Sequence, residues 1–344
     1  MKTKAAVLRQ LNKPLEILEL TLPSLEKGQV LVKVAYSGLC HTQLNEIEGK
    51  KGPDAYLPHT LGHEGSGVVV KIGEGVEKVS QGDSVVLSWI KGSGLDVKGP
   101  TYFHGSEKIN SGPISTFMEY TIVSENRLTK IPSGFCYKQA SLLGCAIPTG
   151  GGIVRHDMQM VKDSSIAIFG VGGIGLSALL TAKQIGANPI IAIDINESKL
   201  QMAKSFGATY CINAKEVDVV KEIYSLTQGR GVDFALEAVG VPKIIEDSFQ
   251  SVKNFGGLCV VAGNVSLNER IAIDPYDLIK GKKIIGSWGG GSKPDEDIPQ
   301  YVKWASSGLL PLENLITHTF SLDKVNEAFK VLKEGLAGRV VLQL

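Results

Sequence analysis

Residues 165–196 read SIAIFGVGGIGLSALLTAKQIGANPIIAIDIN. The run Ile166-Ala-Ile-Phe169 is short, apolar and closed by glycine, as a buried strand requires. It passes directly into Gly170-Val-Gly172-Gly173-Ile-Gly175, the pattern G-x-G-x-x-G, and then into a helical stretch. In such a unit Gly170 allows the tight turn, Gly172 lets a pyrophosphate approach the backbone, and Gly175 lets the helix pack close to the strand. The helix N-terminus offers free N–H groups and a favourable dipole to phosphate. A second strand, PIIAIDI, brings Asp194 to its end, where an acid holds the ribose hydroxyls. A glycine-rich turn alone is weak evidence; strand, turn, helix, strand and acid in this order specify a dinucleotide site. The alternative for Asp194 is an N-cap for the helix that begins at ESKL. Its charge would repel a 2′-phosphate, so NAD(H) is expected over NADP(H).

Outward from this unit, strands and helices alternate from about residue 146: ESKLQMAKSFGA, YCIN, EVDVVKEIYSLTQ, VDFALEAVG, KIIEDSFQSV, GGLCVVAG, PYDLIKG and KKIIGSW. Six strands with intervening helices read as an α/β, doubly wound parallel sheet. After GGGS at 289–292 come two helices, IPQYVKWASSG and DKVNEAFKVLKEG, and a last strand, RVVLQL. The first third is β-rich, with KAAVL, LEILEL, QVLVKVAY, GSGVVVKI and DSVVLSW. Residues 90–113 have no clear period and read as one long loop.

A chain of 344 residues suggests about two domains. The net charge of +1, with no long run of one sign, gives no reason to expect nucleic acid or a membrane as partner. The N-terminus has basic residues but no apolar core like that of a signal peptide, and no stretch reaches the roughly 20 apolar residues of a membrane span. A cytoplasmic protein is expected. Its five cysteines, at 40, 136, 145, 211 and 259, are odd in number and widely spaced, which suits reduced thiols and metal ligands rather than a disulfide framework.

Three residues carry a metal hypothesis: Cys40 in Ser37-Gly-Leu-Cys-His-Thr42, where a strand runs into a turn; His63 in Gly62-His-Glu64; and Cys145 in Leu142-Leu-Gly-Cys-Ala-Ile-Pro-Thr149. Alone, each is more often a buried thiol or a satisfied histidine. Together, two thiolates and an imidazole make a tetrahedral set for zinc, with the fourth position open as a catalytic zinc requires.

With these motifs in place the chain resembles the medium-chain zinc-containing alcohol dehydrogenases almost end to end. Cys-His-Thr, Gly-His-Glu, Leu-Gly-Cys and the glycine turn occur in the family's order. Ala192-Ile-Asp-Ile-Asn196, Asn314-Leu-Ile-Thr-His-Thr-Phe320 and Lys324-Val-Asn-Glu-Ala-Phe329 match as well. The resemblance implies a GroES-like catalytic domain in residues 1–146 and 290–344 and an NAD-binding Rossmann domain in 147–289. It makes Cys40, His63 and Cys145 the ligands of one catalytic zinc. Thr42 would take and pass on the substrate's proton, and Glu64 would lie behind the metal and coordinate it transiently; the plainer alternatives are a turn-forming hydroxyl and a solvated acid. His41 and Arg339 would contact the cofactor pyrophosphate. Gly170, Gly172, Gly173, Gly175, Thr149, Asp194 and Lys199 would complete the cofactor site, and Trp89 would wall the substrate pocket.

Three departures from the family pattern stand out. Residues 88–112 contain no cysteine, so the second, structural zinc of many relatives is not expected. Gln43 replaces the usual aspartate that orients the histidine ligand, and Asn45 stands where a proton relay often ends on histidine. Lys50 and Lys51 are either solvated loop charges or the rim of a wider, more polar pocket. The expected activity is zinc-dependent hydride transfer between an alcohol or carbonyl and NAD(H). The alternatives are dehydrogenation of a polyol, sugar or amino-sugar hydroxyl and, from another class, a catalytically silent NAD(H)-binding protein. The apolar strand Lys283-Ile-Ile-Gly-Ser-Trp288 and the resemblance together suggest a homodimer or homotetramer.

Overall fold

The computed structural model describes residues 1–335 and 337–344. The chain divides into two compact units, Met1–Cys145 with Lys293–Leu344, and Ala146–Ser292.

The second unit is built on six parallel strands in the order Tyr210–Asn213, Ile190–Asp194, Ile166–Phe169, Phe234–Glu237, Leu258–Val261 and Lys283–Gly286. Counted along the chain this is 3-2-1-4-5-6, the doubly wound order. Ile166, Ala167 and Ile168 are fully buried, consistent with a central strand covered on both faces. Each isoleucine side chain contributes roughly 1.5–3 kcal/mol by burial. The helix Gly173–Ile185 packs onto this strand so closely that a Cβ on Gly175 would stand 2.0 Å from the Gly170 carbonyl oxygen. Gly170 itself turns at φ +89°. Lys283–Gly286 pairs with Leu258–Val261 alone and forms one edge of the sheet.

The first unit contains two sheets. One has seven strands, in which Gln29–Gly38 pairs with Glu64–Ile72, Tyr120–Ser124 and Arg339–Gln343. The C-terminal strand thus returns to sit against the segment that leads into Cys40: Val341 faces Gly38 and Leu342 faces Ser37, both antiparallel. Leu39, Leu44, Leu61, Phe117, Phe329 and Val340 share one buried cluster. Within it the rings of Phe117 and Phe329 meet edge to face at 5.9 Å. Removing either ring should cost about 3–5 kcal/mol.

The other sheet corrects one expectation. Residues 90–113 are not loop throughout, because Tyr102–His104 and Glu107–Ile109 form a hairpin paired to the strand Glu16–Thr21. Tyr102 and Ile109 are fully buried, and the Tyr102 hydroxyl accepts the Ile122 N–H at 2.9 Å. Strands of three residues are too short to show a period, so only the Gly105-Ser106 turn signalled them. The remaining loop is held by the Glu125 carboxylate, which accepts the backbone N–H groups of Glu77, Lys78 and Leu95, each at 2.7 Å.

Candidate active site

Cys40, His63 and Cys145 come together in the first unit, their ligand atoms all within 4.8 Å of one another. Cys40 is the N-cap of the helix His41–Ile47, so its thiol stands at a helix start rather than in a simple turn. Its backbone N–H donates to Gln43 Oε1 at 2.8 Å. Gln43 therefore anchors the cysteine, not the histidine that the family's aspartate orients. His63 Nε2 lies 3.3 Å from Cys145 Sγ, and the His63 ring packs edge-on against Trp89 with centroids 6.4 Å apart. Cys145 is buried behind Gly144, whose carbonyl accepts the Ser88 hydroxyl at 2.8 Å. Thr42 Oγ1 lies 3.6 Å from Cys40 Sγ, which places a hydroxyl beside the ligand cluster.

The electrostatics suit a cation. A hydrogen bond from Cys145 holds the Cys40 thiol well below the ordinary thiol range, and the same contact pushes Cys145 well above it. A divalent ion binds both sulfurs as thiolates, so binding it there would release protons. None of the five cysteines is in a disulfide. Two sulfurs and one imidazole, with a fourth direction left to substrate or water, fit zinc.

Glu64 and Arg339 form a buried ion pair, Arg339 Nη2 donating to Glu64 Oε1. Burial raises the Glu64 carboxyl above its usual range although Arg339 and His63 oppose it. Glu64 Oε2 has no hydrogen-bond partner among the described residues. Glu64 is accordingly no solvated acid. His41, at the first position of its helix, is exposed.

In the second unit Asp194 Oδ2 accepts the Val171 N–H of the glycine turn at 3.0 Å, and Oδ1 accepts from Ile195 and Asn196. The N-cap of the helix Glu197–Phe206 is Asn196, whose side chain accepts from Ser198. This leaves Asp194 as the acid at the strand end, outside the cap. No atom lies within 4 Å of where a Cβ on Gly172 would stand, so the space over the turn is open and a side chain would fill it. Gly173 begins the helix behind that space. Thr149 Oγ1 is buried with no hydrogen-bond partner among the described residues, and Lys199 is half-buried in the first turn of its helix. Open turn, strand-end acid and orphaned hydroxyl fit a dinucleotide.

Comparisons with known proteins agree. The zinc-binding dehydrogenase pattern matches residues 173–307, and the alcohol dehydrogenase GroES-like domain matches residues 26–133. An S-(hydroxymethyl)glutathione dehydrogenase of Escherichia coli is 36% identical over an alignment of 369 residues that covers 100% of both chains. Among solved structures, the benzyl alcohol dehydrogenase of Acinetobacter calcoaceticus is 32% identical with a TM-score of 0.91, and an alcohol dehydrogenase zinc-binding domain protein of Burkholderia ambifaria is 31% identical with a TM-score of 0.93. Both alignments cover 100% of this chain and 99% of the other. Among the described residues no helix is long and apolar enough to cross a membrane. The chain belongs to the zinc-containing medium-chain alcohol dehydrogenase family and is an oxidoreductase that works with zinc and NAD(H).

Proposed function

We propose that the chain interconverts an alcohol and its carbonyl compound at Cys40, His63 and Cys145. The convergence of these three donors beside the Thr42 hydroxyl carries the reading. Zinc bound there supplies Lewis acidity, which makes an alcohol hydroxyl acidic near neutral pH. NAD⁺ supplies the hydride acceptor.

In the oxidation direction Thr42 Oγ1 accepts the substrate's hydroxyl proton and releases its own to solvent. The substrate carbon gives up its hydrogen with the bonding electron pair and becomes a carbonyl carbon. Asn45, which has no titrating group, ends no relay. Glu64 faces the ligand cluster as a carboxylate held by Arg339, and its unpartnered Oε2 is the atom suited to transient coordination. His41 and Arg339 bind the pyrophosphate in this reading, with Gly170, Gly172, Gly173, Gly175, Thr149 and Lys199. Asp194 takes the ribose hydroxyls and disfavours the 2′-phosphate.

Lys50 pairs with Glu48 and Lys51 with Glu46, which supports the plainer reading of both lysines as neutralised loop charges. A polyol or sugar substrate gains support from a cavity of about 820 Å³ in the first unit whose wall includes His63, Gln43 and Asp54. A cytoplasmic setting suits a thiol pair that must stay reduced to bind metal. The exposed edge at Lys283–Gly286, with Ile285 and Trp288 exposed beside it, supports assembly as a homodimer or homotetramer through that strand. Zinc- and NAD-dependent turnover of a panel of alcohols, diols and polyols tests the activity. No NADH from any of them would remove it.

A further inference from the structure

The cavity that reaches His63 holds a second set of metal donors, apart from the cysteine site. Glu46, Asp54 and His59 line its wall, and each brings one donor atom, all within 4.8 Å of one another. Glu46 comes from the helix that starts after Cys40, Asp54 from the loop beyond it, and His59 from the short strand His59–Thr60.

The outer atom of each side chain is tied down. His59 Nδ1 lies 3.0 Å from the Thr60 carbonyl oxygen, Asp54 Oδ1 accepts the Tyr56 N–H at 2.8 Å, and Glu46 Oε2 accepts from Lys51 Nζ at 3.2 Å. Bonds of this kind orient the ligands of a metal ion. They turn His59 Nε2, Asp54 Oδ2 and Glu46 Oε1 toward one another, with Nε2 2.8 Å from Oδ2 and 3.7 Å from Oε1.

A carbonyl oxygen only accepts, so His59 Nδ1 carries a proton and Nε2 can present its lone pair. Burial alone would raise the Asp54 carboxyl, but the Tyr56 N–H, His59 and Lys51 hold it below its usual range, so Oδ2 presents lone pairs too. Lone pairs facing each other at 2.8 Å need a positive centre between them. A proton serves that pair but leaves Glu46 Oε1 to water, since 3.7 Å is beyond a hydrogen bond. A divalent ion serves all three donors. Bonds of about 2.0–2.2 Å set the donors of one ion roughly 3–4.4 Å apart, so the closest pair has only to open by a few tenths of an ångström.

Gln43 gives a second, independent sign. It lies one helical turn before Glu46 and lines the same cavity. The side chain is 1% exposed, its oxygen is taken by the Cys40 N–H, and its Nε2 has no acceptor among the described residues. A buried amide N–H of this kind calls for an oxygen atom in the cavity. Water or a substrate oxygen bound to an ion beside Glu46 supplies one. We infer that Glu46, Asp54 and His59 bind a divalent cation of the manganese(II) class, separate from the zinc at Cys40, His63 and Cys145. Two carboxylates and one imidazole with open positions suit a six-coordinate ion that prefers oxygen, whereas the thiolate pair takes zinc.

Manganese(II) titrated into the zinc-loaded, full-length protein tests this by electron paramagnetic resonance, because the bound ion drops out of the free ion's signal. One manganese per chain should bind, and its pulsed spectrum should show nitrogen coupling from an imidazole. Asp54→Asn and His59→Gln should each weaken binding by at least roughly tenfold, the cost of losing even a residue that only orients a ligand. His59→Gln should also remove the nitrogen coupling. Asp96→Asn, on the same wall but paired with Lys91, should change little. Melting curves confirm that the variants fold.

No binding below about 1 mM, the weak end of protein sites for hard cations, would overturn the inference. Equal losses in Asp96→Asn and Asp54→Asn would overturn the site, since acids anywhere on the wall would then attract the ion. Two zinc ions per chain after dialysis, with manganese excluded, would overturn the choice of ion.

Discussion

The Arg339 guanidinium donates directly to the Glu64 carboxylate across 275 residues of sequence, and both side chains are buried. The pair fastens the C-terminal strand Arg339–Gln343 to the strand that begins at Glu64, next to His63 of the candidate metal site.

Breaking this pair from one side strands a buried charge. Arg339→Ala leaves Glu64 uncompensated and should destabilise the fold by about 3–5 kcal/mol. Pairing it with Glu64→Gln removes the stranded charge, so the double variant should lose less than the sum of the single losses. Urea unfolding of the four proteins checks this, and strict additivity would show that the two side chains do not interact.

Asp194 has two jobs, because it holds the Val171 N–H of the glycine turn and presents charge at the strand end. Asp194→Ser should weaken NAD⁺ and raise the kcat/KM ratio of NADP⁺ to NAD⁺ by roughly tenfold or more. A wild type that already prefers NADPH would contradict the assignment.

Thr42 and Asn45 lie in one short helix, but only Thr42 places a hydroxyl beside Cys40. Thr42→Val should lower kcat by about 100-fold or more, whereas Asn45→Ala should be mild. Wild-type oxidation should lack a histidine-like step near pH 6.5, and Asn45→His should introduce one while speeding oxidation on the acidic side. Equal damage from Asn45→Ala and Thr42→Val would make Asn45 a substrate-binding or structural residue.

Glu125 is a stability switch of known sign. Burial alone would raise its pKa, but the backbone N–H groups of Leu95, Lys78 and Glu77 more than offset this, and the net shift is downward. Its contribution is therefore fully present above the unfolded-state pKa of about 4.3 and is lost as pH falls through the lower folded value. Glu125→Gln should cost about 1–3 kcal/mol at pH 7 and flatten the acid limb of stability against pH. Denaturant titrations at pH 7 and at acid pH measure both.

Local features were legible in the chain and long-range pairings were not. The glycine turn and Asp194 lie within 25 residues of one another, and the buried run Ile166–Phe169 introduces them, so pattern alone picked out the candidate dinucleotide turn. Cys40, His63 and Cys145 stood out by residue type and order, although only the fold brings them within 4.8 Å. Gln43 was noticed as a replacement, but its bond to the Cys40 N–H depends on helix geometry. Arg339 on Glu64 and Glu125 under its loop had no signal, since each depends on which distant segments fold together.

The central claim is that one metal ion on Cys40, His63 and Cys145 underlies alcohol oxidation. Zinc content by plasma mass spectrometry, measured together with NADH formation in wild type and in Cys145→Ala, tests it most directly. One zinc per chain is expected in wild type, with zinc and activity lost together in the variant while circular dichroism shows the fold retained. Undiminished NADH formation by a zinc-free Cys145→Ala protein, or a second zinc that stays bound to it, would contradict the account.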